Sequence, residues 1–464
     1  MELFSRTQQA FKQSRVFHRA MELALCSVLM FGRRTITGML SAGGKQFEDW
    51  SAAYRIFENN RFNRQLFFAP VIEAVSDALP DGSPFYTAID DTIIRKRGKK
   101  IAGANWKRDP LGPQWHNNFI WGQRYLQMSA MLPDAKEAGR ARGIPIDFIH
   151  APTLKKPRKN ASKEKWDEYN AAEKPDKVTV LGAKRLKELR DQIPCRKIIC
   201  SVDGGFTNKE VFRNIPSNTA IIGRIRKDAS LFASPESEGG IRRGRKKYYG
   251  AKLPTPEQIR QDESIPWQQV RAYAAGKMHE FDVKVMTPIR WKGSGDRDVL
   301  VLVIRPLAYR PKKGTKLCYR NPAYLISTDP TLPLEQLLQA YIWRWEIEVN
   351  FRDEKTLMGV GQAGVRTETA VQNLPAFQVA TYSYTLLAAE LSGSDFLLPA
   401  AKWQRRLPAG RLPTSKIQSL FRTEFWLPHL LQNKSEFVLN PSAAQTHFFS
   451  IHSPNSAICS ALNG

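Results

Sequence analysis

Three acidic residues lie far apart in the sequence at positions that suit carboxylates acting on one ligand. Asp90 ends the short apolar run FYTAID, and Asp203 ends a second run, RKIICSVD. Glu348 lies in the stretch YIWRWEIEVNFRDEK at 341–355, which contains neither Gly nor Pro. Carboxylate oxygens suit Mg²⁺ or Mn²⁺, and two such ions about 3.5–4 Å apart activate a water or 3′-hydroxyl and stabilise the leaving oxygen. These residues therefore favour metal-assisted phosphoryl transfer.

The two aspartates are predicted to end strands of an α/β core. Further patterns predict strands at about 118–131, 144–150, 218–225 and 322–329, and helices at about 179–192 and 370–392. Carboxyl ends of adjacent strands lie side by side in such sheets, so acids at these ends can converge. An Asp at a strand end is more often a turn former, so each aspartate is weak on its own. The prediction of a site depends on all three acids together.

The stretch that contains Glu348 is typical of a helix with a polar stripe. It follows the apolar-periodic LEQLLQA and lacks the alternation of a strand, which predicts one helix over about 333–358. At about 100° per residue, a stripe about 60° wide carries one acid, two bases and a phenol: Tyr341, Arg344, Glu348 and Lys355. A solvated charged face is the alternative interpretation.

Other side chains of this helix are predicted to point elsewhere. Glu346 and Asp353 lie about 140° and 120° round the helix from its first stripe residue and cannot readily join the stripe. Ile342, Trp345 and Val349 supply a separate apolar face, which is typical of an amphipathic helix that packs on a core. The helix should therefore bury one face and direct the other to the site.

The charge balance indicates a polyanionic partner. Lys and Arg number 70 against 44 Asp and Glu, which leaves a net charge of +26. Nucleic acid is the commonest partner of so basic a chain. The longest apolar run, at 23–32, is too short to span a bilayer, and it runs into Arg33 and Arg34 rather than a cleavage site. We therefore expect a cytoplasmic protein that does not bind a membrane.

Cysteine and histidine spacing argues against other metal or disulfide chemistry. The five cysteines are scattered and never spaced as C-x-x-C, and the seven histidines form no H-x-x-x-H pair. This disfavours a disulfide framework and a structural zinc site. Any metal ligands should therefore be carboxylates.

The residues of the stripe resemble a known signature. Their spacing is similar to the Y-R-E-K signature of bacterial DDE transposases of the cut-and-paste insertion-sequence class. AIDDT resembles the first-aspartate strand of that family, where Asp, any residue and then Thr or Ser selects Asp90 over Asp91. SVDGGF resembles the second-aspartate strand and selects Asp203. The resemblance covers about 85–395.

The resemblance implies a fold and a reaction. The fold is α/β, an RNase H-like mixed sheet flanked by helices, with a β-rich insertion and an N-terminal helical domain. Water would cut at the element end, and the freed 3′-hydroxyl would then join target DNA, often through a hairpin intermediate. Asp90, Asp203 and Glu348 would bind two Mg²⁺ ions, for which Mn²⁺ can substitute.

The remaining stripe residues have expected roles on DNA. Arg344 and Lys355 can neutralise phosphates on either side of the scissile bond, and Tyr341 can hydrogen-bond a terminal 5′ phosphate. The expected partners are double-stranded DNA, as terminal inverted repeats and as target, and a second copy of the chain on paired ends. We expect the protein at the bacterial nucleoid.

Five segments are expected along the chain. They are an N-terminal helical domain that docks on the DNA end (1–80), the first part of the catalytic core (81–226), the β-rich insertion (227–321), the second part of the core with the Glu helix (322–395), and a linker with a weakly structured tail (396–464). A helical bundle that only packs on the core is the alternative for the first segment, where Arg33, Arg34, Thr35 and Thr37 offer phosphate contacts.

Weaker signals suggest further DNA contacts. Arg95, Lys96 and Arg97 follow the first aspartate in a basic run, and IRRGRKKYYG lies in the predicted insertion. Trp291 can stack on a flipped base, with Trp267 and Tyr249 as rivals and a core tryptophan as the alternative. The alternative functions are a transposase-derived DNA-binding protein without catalysis and a nuclease without strand joining.

Overall fold

Apolar residues at helical spacing form helices before, between and after the strands. The computed structural model describes residues 2–392, apart from 110–111, 114, 117, 136, 155, 236–246 and 313, together with residues 412–432. The described helices are α1 (Glu2–Ser5), α2 (Ser14–Leu29), α3 (Ile36–Ala42), α4 (Ser51–Glu58), α5 (Arg64–Ala78), α6 (Lys163–Asp176), α7 (Val178–Gln192), α8 (Lys209–Phe212), α9 (Pro256–Gln261), α10 (Leu334–Trp343), α11 (Trp345–Thr356), α12 (Glu368–Leu391) and α13 (Thr414–Gln432).

Runs rich in β-branched residues form one large mixed sheet. The described strands are β1 (Phe85–Arg95), β2 (Asn105–Arg108), β3 (Phe119–Pro133), β4 (Ala141–His150), β5 (Ile198–Val202), β6 (Thr219–Arg224), β7 (Leu231–Ala233), β8 (Lys252–Leu253), β9 (Gln268–Ala274), β10 (Lys277–Trp291), β11 (Asp298–Ile304), β12 (Ala308–Tyr309), β13 (Cys318–Tyr319) and β14 (Ala323–Ser327). The order is β2-β3-β1-β5-β6-β14-β11-β10-β7-β8, with β4 also on β3 and β9 also on β10; β12 and β13 pair separately.

The central part of this sheet combines parallel and antiparallel pairs. β1, β5 and β6 are parallel neighbours, whereas β3 is antiparallel to β1 and β4 is antiparallel to β3. All five residues of β5 are buried, as expected of a strand covered on both faces. This mixed α/β arrangement is compatible with an RNase H-like fold.

The strands predicted as an insertion extend the same sheet. β14 pairs with β6, β11 pairs with β14, and β10 pairs with β11, all antiparallel. The strand pattern at 322–329 thus joins the central sheet, as the sequence suggested. Every described strand of 227–321 except β12 and β13 continues outward from it.

The N-terminal helices share a core with the sheet and α12. Phe67 of α5 stacks on Phe377 of α12, with ring centroids 5.6 Å apart. The Tyr384 hydroxyl donates to the Phe67 carbonyl at 2.7 Å, and Arg64 donates to the Asn373 amide oxygen at 2.6 Å. These helices therefore pack on the core, which is one of the two arrangements expected from the sequence.

Two stretches form helices that the sequence did not predict. Residues 155–177 were expected to be a surface connection with little apolar content, but α6 occupies 163–176. Residues 396–464 were expected to be a linker and a weakly structured tail, which is wrong for 414–432, since these residues form α13. Arg422 of this helix donates a hydrogen bond to the Met30 carbonyl at 2.8 Å. Its Trp426 is buried against Leu29. Residues 393–411 and 433–464 lie outside the described chain.

Among the described helices, none combines the length and apolar character that crossing a membrane requires.

Candidate active site

The sheet places the two predicted aspartates side by side, but Asp90 lies in the middle of β1 (Phe85–Arg95) and does not end the strand as the sequence predicted. In the parallel pair of β1 and β5, Ile89 is the partner of Val202. Asp90 and Asp203 follow these residues directly, so they hold equivalent positions on adjacent strands. The two acids therefore converge as expected, although only Asp203 lies at the carboxyl end of its strand, because β1 continues to Arg95 to pair with β3.

Asp203 is held by the turn that follows its strand. Its Oδ1 accepts hydrogen bonds from the backbone N–H groups of Gly205 at 2.9 Å and Phe206 at 3.0 Å. The Thr207 hydroxyl donates to the Asp203 carbonyl at 2.8 Å. The turn therefore fixes the carboxylate beside Asp90, which combines the turn-forming role of Asp with a place in the site.

Burial and a like charge change the titration of Asp90. Burial, followed by the nearby Asp203 carboxylate, raises the pKa of Asp90 to about 7, although the Arg344 guanidinium acts in the opposite direction. Its side chain is only 16% exposed. Two close carboxylates with little water favour a proton or a cation between them.

Arg344 links the first and third predicted acids. Its Nη1 lies 3.1 Å from Asp90 Oδ2, and its Nη2 lies 3.0 Å from Glu348 Oε1. The guanidinium also lies over the Tyr341 ring, with 5.8 Å between Cζ and the ring centroid. Burial raises the pKa of the Tyr341 phenol. Tyr341 and Glu348 of the predicted stripe thus gather around the partly buried Arg344 guanidinium.

The helix that carries the stripe is broken at Arg344. Here α10 ends and α11 begins, so the single helix predicted over 333–358 is wrong in its continuity. The Arg344 N–H donates to the Tyr341 carbonyl, and the Ile347 N–H donates to the Arg344 carbonyl, which are tighter i→i+3 bonds. Neither Gly nor Pro marks this break in the sequence.

Lys355, further along α11, contacts the same face of β1 as Arg344 does. Its Nζ donates to Thr92 Oγ1 at 2.6 Å. Burial lowers the Lys355 pKa, with an opposing effect of Glu354. Because alternate residues of a strand share a face, Thr92 points to the same side as Asp90. Arg344 and Lys355 therefore flank the site along one strand face.

The other polar residues of α11 lie outside the stripe, as predicted. The Gly143 N–H donates to Glu346 Oε2 at 3.3 Å. The Thr414 hydroxyl donates to Asp353 Oδ2 at 2.6 Å, and Asp353 is buried. These acids anchor α11 to β4 and α13.

The apolar face predicted for this helix is partly wrong. Trp345 is 60% exposed, whereas Ile347 and Phe351 are buried in a cluster with Ala88 and Met131. Trp345 precedes Ile347 by two positions, about 200° round the helix, so it faces away from the sheet. The sequence pattern did not predict this exposed ring, which directly follows Arg344 in the chain.

Asp91 lies on the opposite face of β1 from Asp90. Its Oδ2 is 3.1 Å from Arg124 Nε, and burial raises its pKa, with Arg124 opposing the effect. Asp90 is the aspartate that contacts Arg344, and through it Glu348. The geometry thus separates the environments of the two adjacent acids.

A basic cleft opens beside the second aspartate. It has a volume of about 960 Å³, and Gly204 and Thr207 on its wall belong to the turn after Asp203. Four basic side chains line it, Arg224, Arg226, Lys227 and Arg260, together with the acids Asp228 and Glu257, which pair with Arg226 and Arg260. These residues were not predicted from the sequence, although the run RIRK at 224–227, which overlaps the end of a predicted strand, is a visible signal.

Trp291 lines the same cleft and also packs on the core. Its ring meets Phe212 edge-on at 5.3 Å, so one edge is occupied. Its rivals are engaged elsewhere: Lys284 Nζ lies 4.5 Å from the Trp267 ring centroid, and Tyr249 lies 5.3 Å from Phe232. Trp291 therefore combines a packing role with a position on the wall of the cleft.

The residues of the basic run after the first aspartate differ in their exposure and partners. Lys96 Nζ donates to the Gly361 carbonyl at 2.8 Å, and burial lowers the Lys96 pKa to about 8. Arg95 is paired with Asp109 at 2.7 Å, and Arg97 is exposed. Of the other predicted phosphate contacts, residues 241–246 of IRRGRKKYYG lie outside the described chain.

The N-terminal residues expected to contact DNA also differ in their exposure and partners. Arg34 is buried, and its Nε donates to the Ser27 carbonyl at 3.2 Å, whereas Arg33 is exposed. Thr35 caps α3 by accepting a hydrogen bond from the Gly38 N–H. Arg34 and Thr35 therefore serve the fold in this arrangement.

The donor set suits a hard divalent cation, but it is not assembled around one. No group of three His, Cys, Asp or Glu side chains within the described chain is placed to hold a metal ion. Arg344 instead supplies the positive charge between Asp90 and Glu348. Carboxylate oxygens and the raised Asp90 pKa fit a cation chemically, provided that the guanidinium moves aside.

A family model described as DDE superfamily endonuclease matches residues 9–114. The match covers less than a quarter of the chain, from the N-terminal helices through β1 to the start of the following hairpin. It includes Asp90 and Asp91 and ends before Asp203 and Glu348. No curated protein is significantly similar to this chain.

The match and the fold support the same broad function. The chain is similar to DDE-type endonucleases over the segment that carries the first acid, which supports a nuclease- or transposase-type enzyme. The second and third acids lie on elements that the match does not reach. Their assignment therefore depends on the geometry around Arg344 and on the strand register.

Proposed function

We propose that this chain is a DDE transposase that cuts DNA at the ends of an element and joins the freed 3′-hydroxyl to target DNA. The observation that carries the proposal is the meeting of Asp90, Asp203 and the Arg344–Glu348 pair at one end of the central sheet. Acids drawn from three elements into one partly buried place match the needs of phosphoryl transfer. The similarity to DDE superfamily endonucleases supports the class of reaction.

Asp90, Asp203 and Glu348 would hold two divalent ions, Mg²⁺ or Mn²⁺. When bound, such ions activate the attacking oxygen and stabilise the leaving one. With its pKa raised to about 7, the Asp90 carboxyl is partly protonated near neutral pH while its Oδ2 accepts a hydrogen bond from Arg344, so it would bind an ion after losing that proton. Arg344 would then be available to bind a scissile phosphate in a bidentate manner.

The cations around the acids would position the DNA strand. Lys355 lies beside Thr92 on the same strand face as Asp90, where it can hold a phosphate next to the reacting one. Tyr341 lies under Arg344 and can donate its hydroxyl to a terminal 5′ phosphate. The basic cleft beside Asp203, with Trp291 on its wall, offers room for a nucleotide displaced from the duplex.

The partner of this site would be double-stranded DNA, as terminal inverted repeats and as target. The net charge of +26 favours binding to such a polyanion. Two copies of the chain on paired ends would place two such sites near one target. Analytical ultracentrifugation of the DNA complex measures that stoichiometry.

The decisive experiment is cleavage of labelled duplexes that carry candidate element ends, with Mg²⁺ or with Ca²⁺. The parent protein should cut with Mg²⁺, and Glu348→Gln should bind the same DNA without cutting it. Glu335→Gln removes the same charge from an exposed position of α10 and should cut like the parent. Equal cutting by Glu348→Gln and the parent would refute the assignment of Glu348.

An endonuclease that does not join strands is the second candidate, favoured by the description of the matching family model. The two candidates differ only after the first cut. A pre-cut end with a free 3′-hydroxyl, mixed with supercoiled plasmid, should give joined product if the enzyme is a transposase. Repeated cutting without joining would support the nuclease, and binding without cutting would support a DNA-binding protein that has lost catalysis.

A further inference from the structure

One buried acid on α11 has no part in the site described above. Glu354 is only 1% exposed. The Gln127 side chain of β3 faces its carboxyl group, but no well-aligned hydrogen bond reaches either carboxyl oxygen from the described residues. A carboxylate without donors is costly to bury, so an ionised Glu354 would destabilise this contact between helix and strand.

A chain of buried hydrogen bonds connects the same strand to α11 and β4. Asn350 Nδ2 donates to the Gly143 carbonyl at 2.9 Å, and Asn350 Oδ1 accepts from the Ser129 hydroxyl at 2.9 Å. The Ser129 oxygen in turn accepts from Gln127 Nε2 at 3.1 Å. A Cβ at Gly143 would lie only 2.9 Å from Asn350 Oδ1, so the helix contacts β4 closely. Gln127, at the end of this chain, is the residue that faces Glu354.

The direction of these hydrogen bonds is fixed at one end, because a backbone carbonyl can only accept. Gly143 thus orients the Asn350 amide, which makes Ser129 a donor to Asn350 and an acceptor from Gln127. Gln127 Oε1 is then buried without a donor among the described residues. A protonated Glu354 carboxyl has an O–H group to donate there, whereas a carboxylate has none. The polarity of the chain therefore favours a proton on Glu354.

The groups that face Glu354 agree with its neutral form. Burial raises its pKa to about 8, against the opposing effects of the Gln127 side chain and Lys355, and Asp353 raises it further. The buried Tyr382 phenol of α12 is a further titratable group near its charge. Glu354 is therefore mostly protonated at neutral pH.

The chain of hydrogen bonds joins the two elements that hold the candidate active site. Gln127 lies directly opposite Asp90 in the ladder of β1 and β3. Glu354 directly precedes Lys355 and lies six positions after Glu348 on α11. A displacement of α11 along β3 would therefore move Glu348 and Lys355 together relative to Asp90.

We propose that Glu354, in its protonated form, is a positioning residue that fixes α11 on β3 and so sets the places of Glu348 and Lys355 beside Asp90. The inference rests on the proposed function, since cleavage of DNA is the reaction that this positioning serves. A neutral Glu354 does not compete with a DNA phosphate for the Lys355 ammonium group. Loss of the proton leaves a buried carboxylate without a donor and draws Lys355 away from the phosphate.

The proton is tested without catalysis, by infrared difference spectroscopy of the full chain in EDTA near neutral pH. The parent should show the C=O stretching band of a buried protonated carboxyl group that Glu354→Gln lacks. Glu335→Gln, at an exposed position of α10, should leave the band unchanged. The same band in Glu354→Gln and in the parent would overturn the inference.

Single-turnover cleavage with Mg²⁺ tests the positioning role. Glu354→Gln keeps a donor for Gln127 and carries no charge at any pH, so it should cut at close to the parent rate near neutral pH. Glu354→Met keeps the bulk but has no donor, and it should bind DNA like the parent and cut about tenfold more slowly. As pH rises from about 7 to about 9, the parent should slow relative to Glu354→Gln, because only the parent has an acid that ionises at this position.

The outcomes separate the positioning role from the proposed function. Cleavage by folded Glu354→Met at the parent rate, or pH profiles that coincide for the parent and Glu354→Gln, would overturn the positioning role while the loss of cutting in Glu348→Gln upholds the proposed function. If Glu354→Met does not fold, the comparison of pH profiles decides alone. A parent protein that binds DNA without cutting it would overturn the proposed function and the positioning role together, and the infrared band would still decide whether Glu354 holds the proton.

Discussion

Arg344 and Asp90 form an ion pair, with 3.1 Å between Nη1 and Oδ2, across 254 positions of sequence. The same guanidinium holds Glu348, so one buried cation restrains two of the three acids proposed as metal ligands. Buried acids that lie close together repel unless a positive charge lies among them. Arg344 thus provides internally the charge that divalent ions would provide during catalysis.

Removing this guanidinium should disable catalysis more than it disables folding. Arg344→Ala leaves Asp90 and Glu348 without their shared cation, and we expect cleavage to fall about 100-fold or more, as when one preorganised donor is lost. Arg344→Lys keeps the charge but not the two-pronged contact, so it should recover only part of the rate. Single-turnover cleavage with Mg²⁺ measures both variants.

Arg352→Ala is the control for this prediction. Arg352 lies on the same helix and is 67% exposed, with Asp353 as its partner. Its loss should leave the cleavage rate within about threefold of the parent, since surface ion pairs contribute little. If the Arg344→Ala variant cleaved DNA at the parent rate, Arg344 would have only a packing role.

Asp90 should make metal-free stability depend on pH. Its pKa rises from 3.8 to about 7 in the fold, chiefly through burial. Between these values the folded state keeps a proton that the unfolded chain has lost, so the free energy of unfolding falls as pH rises from about 4 to about 7. Asp90→Asn removes this titration. Its stability relative to the parent should therefore increase from about pH 5 to pH 8, by about 1 kcal/mol or more.

Urea unfolding in EDTA at the two pH values measures this difference. Asp81→Asn, at an exposed site, changes the net charge equally and should show no such trend. Adding Mg²⁺ at the higher pH should stabilise the parent but not Asp90→Asn, because a cation replaces the lost proton. A difference between Asp90→Asn and the parent that stays constant with pH would contradict the raised pKa.

The effect of the hydrogen bond between Lys355 and Thr92 on cleavage should be measurable without changing the three acids. Thr92→Val keeps the shape but removes the oxygen that accepts the Lys355 hydrogen bond. We expect a loss of about 1–2 kcal/mol in stability and a cleavage rate reduced by about tenfold, because Lys355 then lacks its anchor. Thr92→Ser restores the acceptor and should restore the rate. A Thr92→Ser rate as low as that of Thr92→Val would contradict the assignment, since the acceptor oxygen would then not be enough to position Lys355.

Part of the site could be predicted from the sequence, because the spacing of residues along a helix determines which side chains share a face. Side chains that repeat at helical intervals share a face wherever the helix goes, so the Arg344–Glu348 contact follows from the sequence alone. That contact depends on short-range geometry, which a single sequence records. The register of β1 against β5, by contrast, pairs Ile89 with Val202 across the chain, and the sequence predicted only that the two aspartates follow strands of one sheet.

Other features depend on long-range packing and were not accessible from the sequence. Trp345 looked like a core residue, but the break at Arg344 and the burial of Ile347 leave it exposed. Lys96 looked like a phosphate contact, but the Gly361 loop folds over it. In both cases a distant segment of the chain decides which side of a residue meets water.

Trp291 should report on a displaced base. Its ring lines the cleft beside Asp203 and leans on Phe212. If a base of the cleaved end stacks there, 2-aminopurine at that base should be quenched by the parent and remain bright with Trp291→Ala. Phe212→Leu disturbs the packing of Trp291 without removing it, so quenching should persist. Quenching that survives Trp291→Ala would assign the stacking to another ring.

On the side of α11 that faces away from the site, a substitution should lower the stability of the protein without slowing cleavage by the folded molecules. Thr414 of α13 donates a buried 2.6 Å hydrogen bond to Asp353, two positions before Lys355. Thr414→Val leaves that carboxylate oxygen without its donor, at a cost of about 1–3 kcal/mol. Ser415→Ala, at the exposed neighbouring position, should cost less than about 0.5 kcal/mol. Thermal unfolding should show the difference, while cleavage at a temperature where both variants are folded should match the parent. Slow cleavage by folded Thr414→Val would instead mean that α13 positions the catalytic helix.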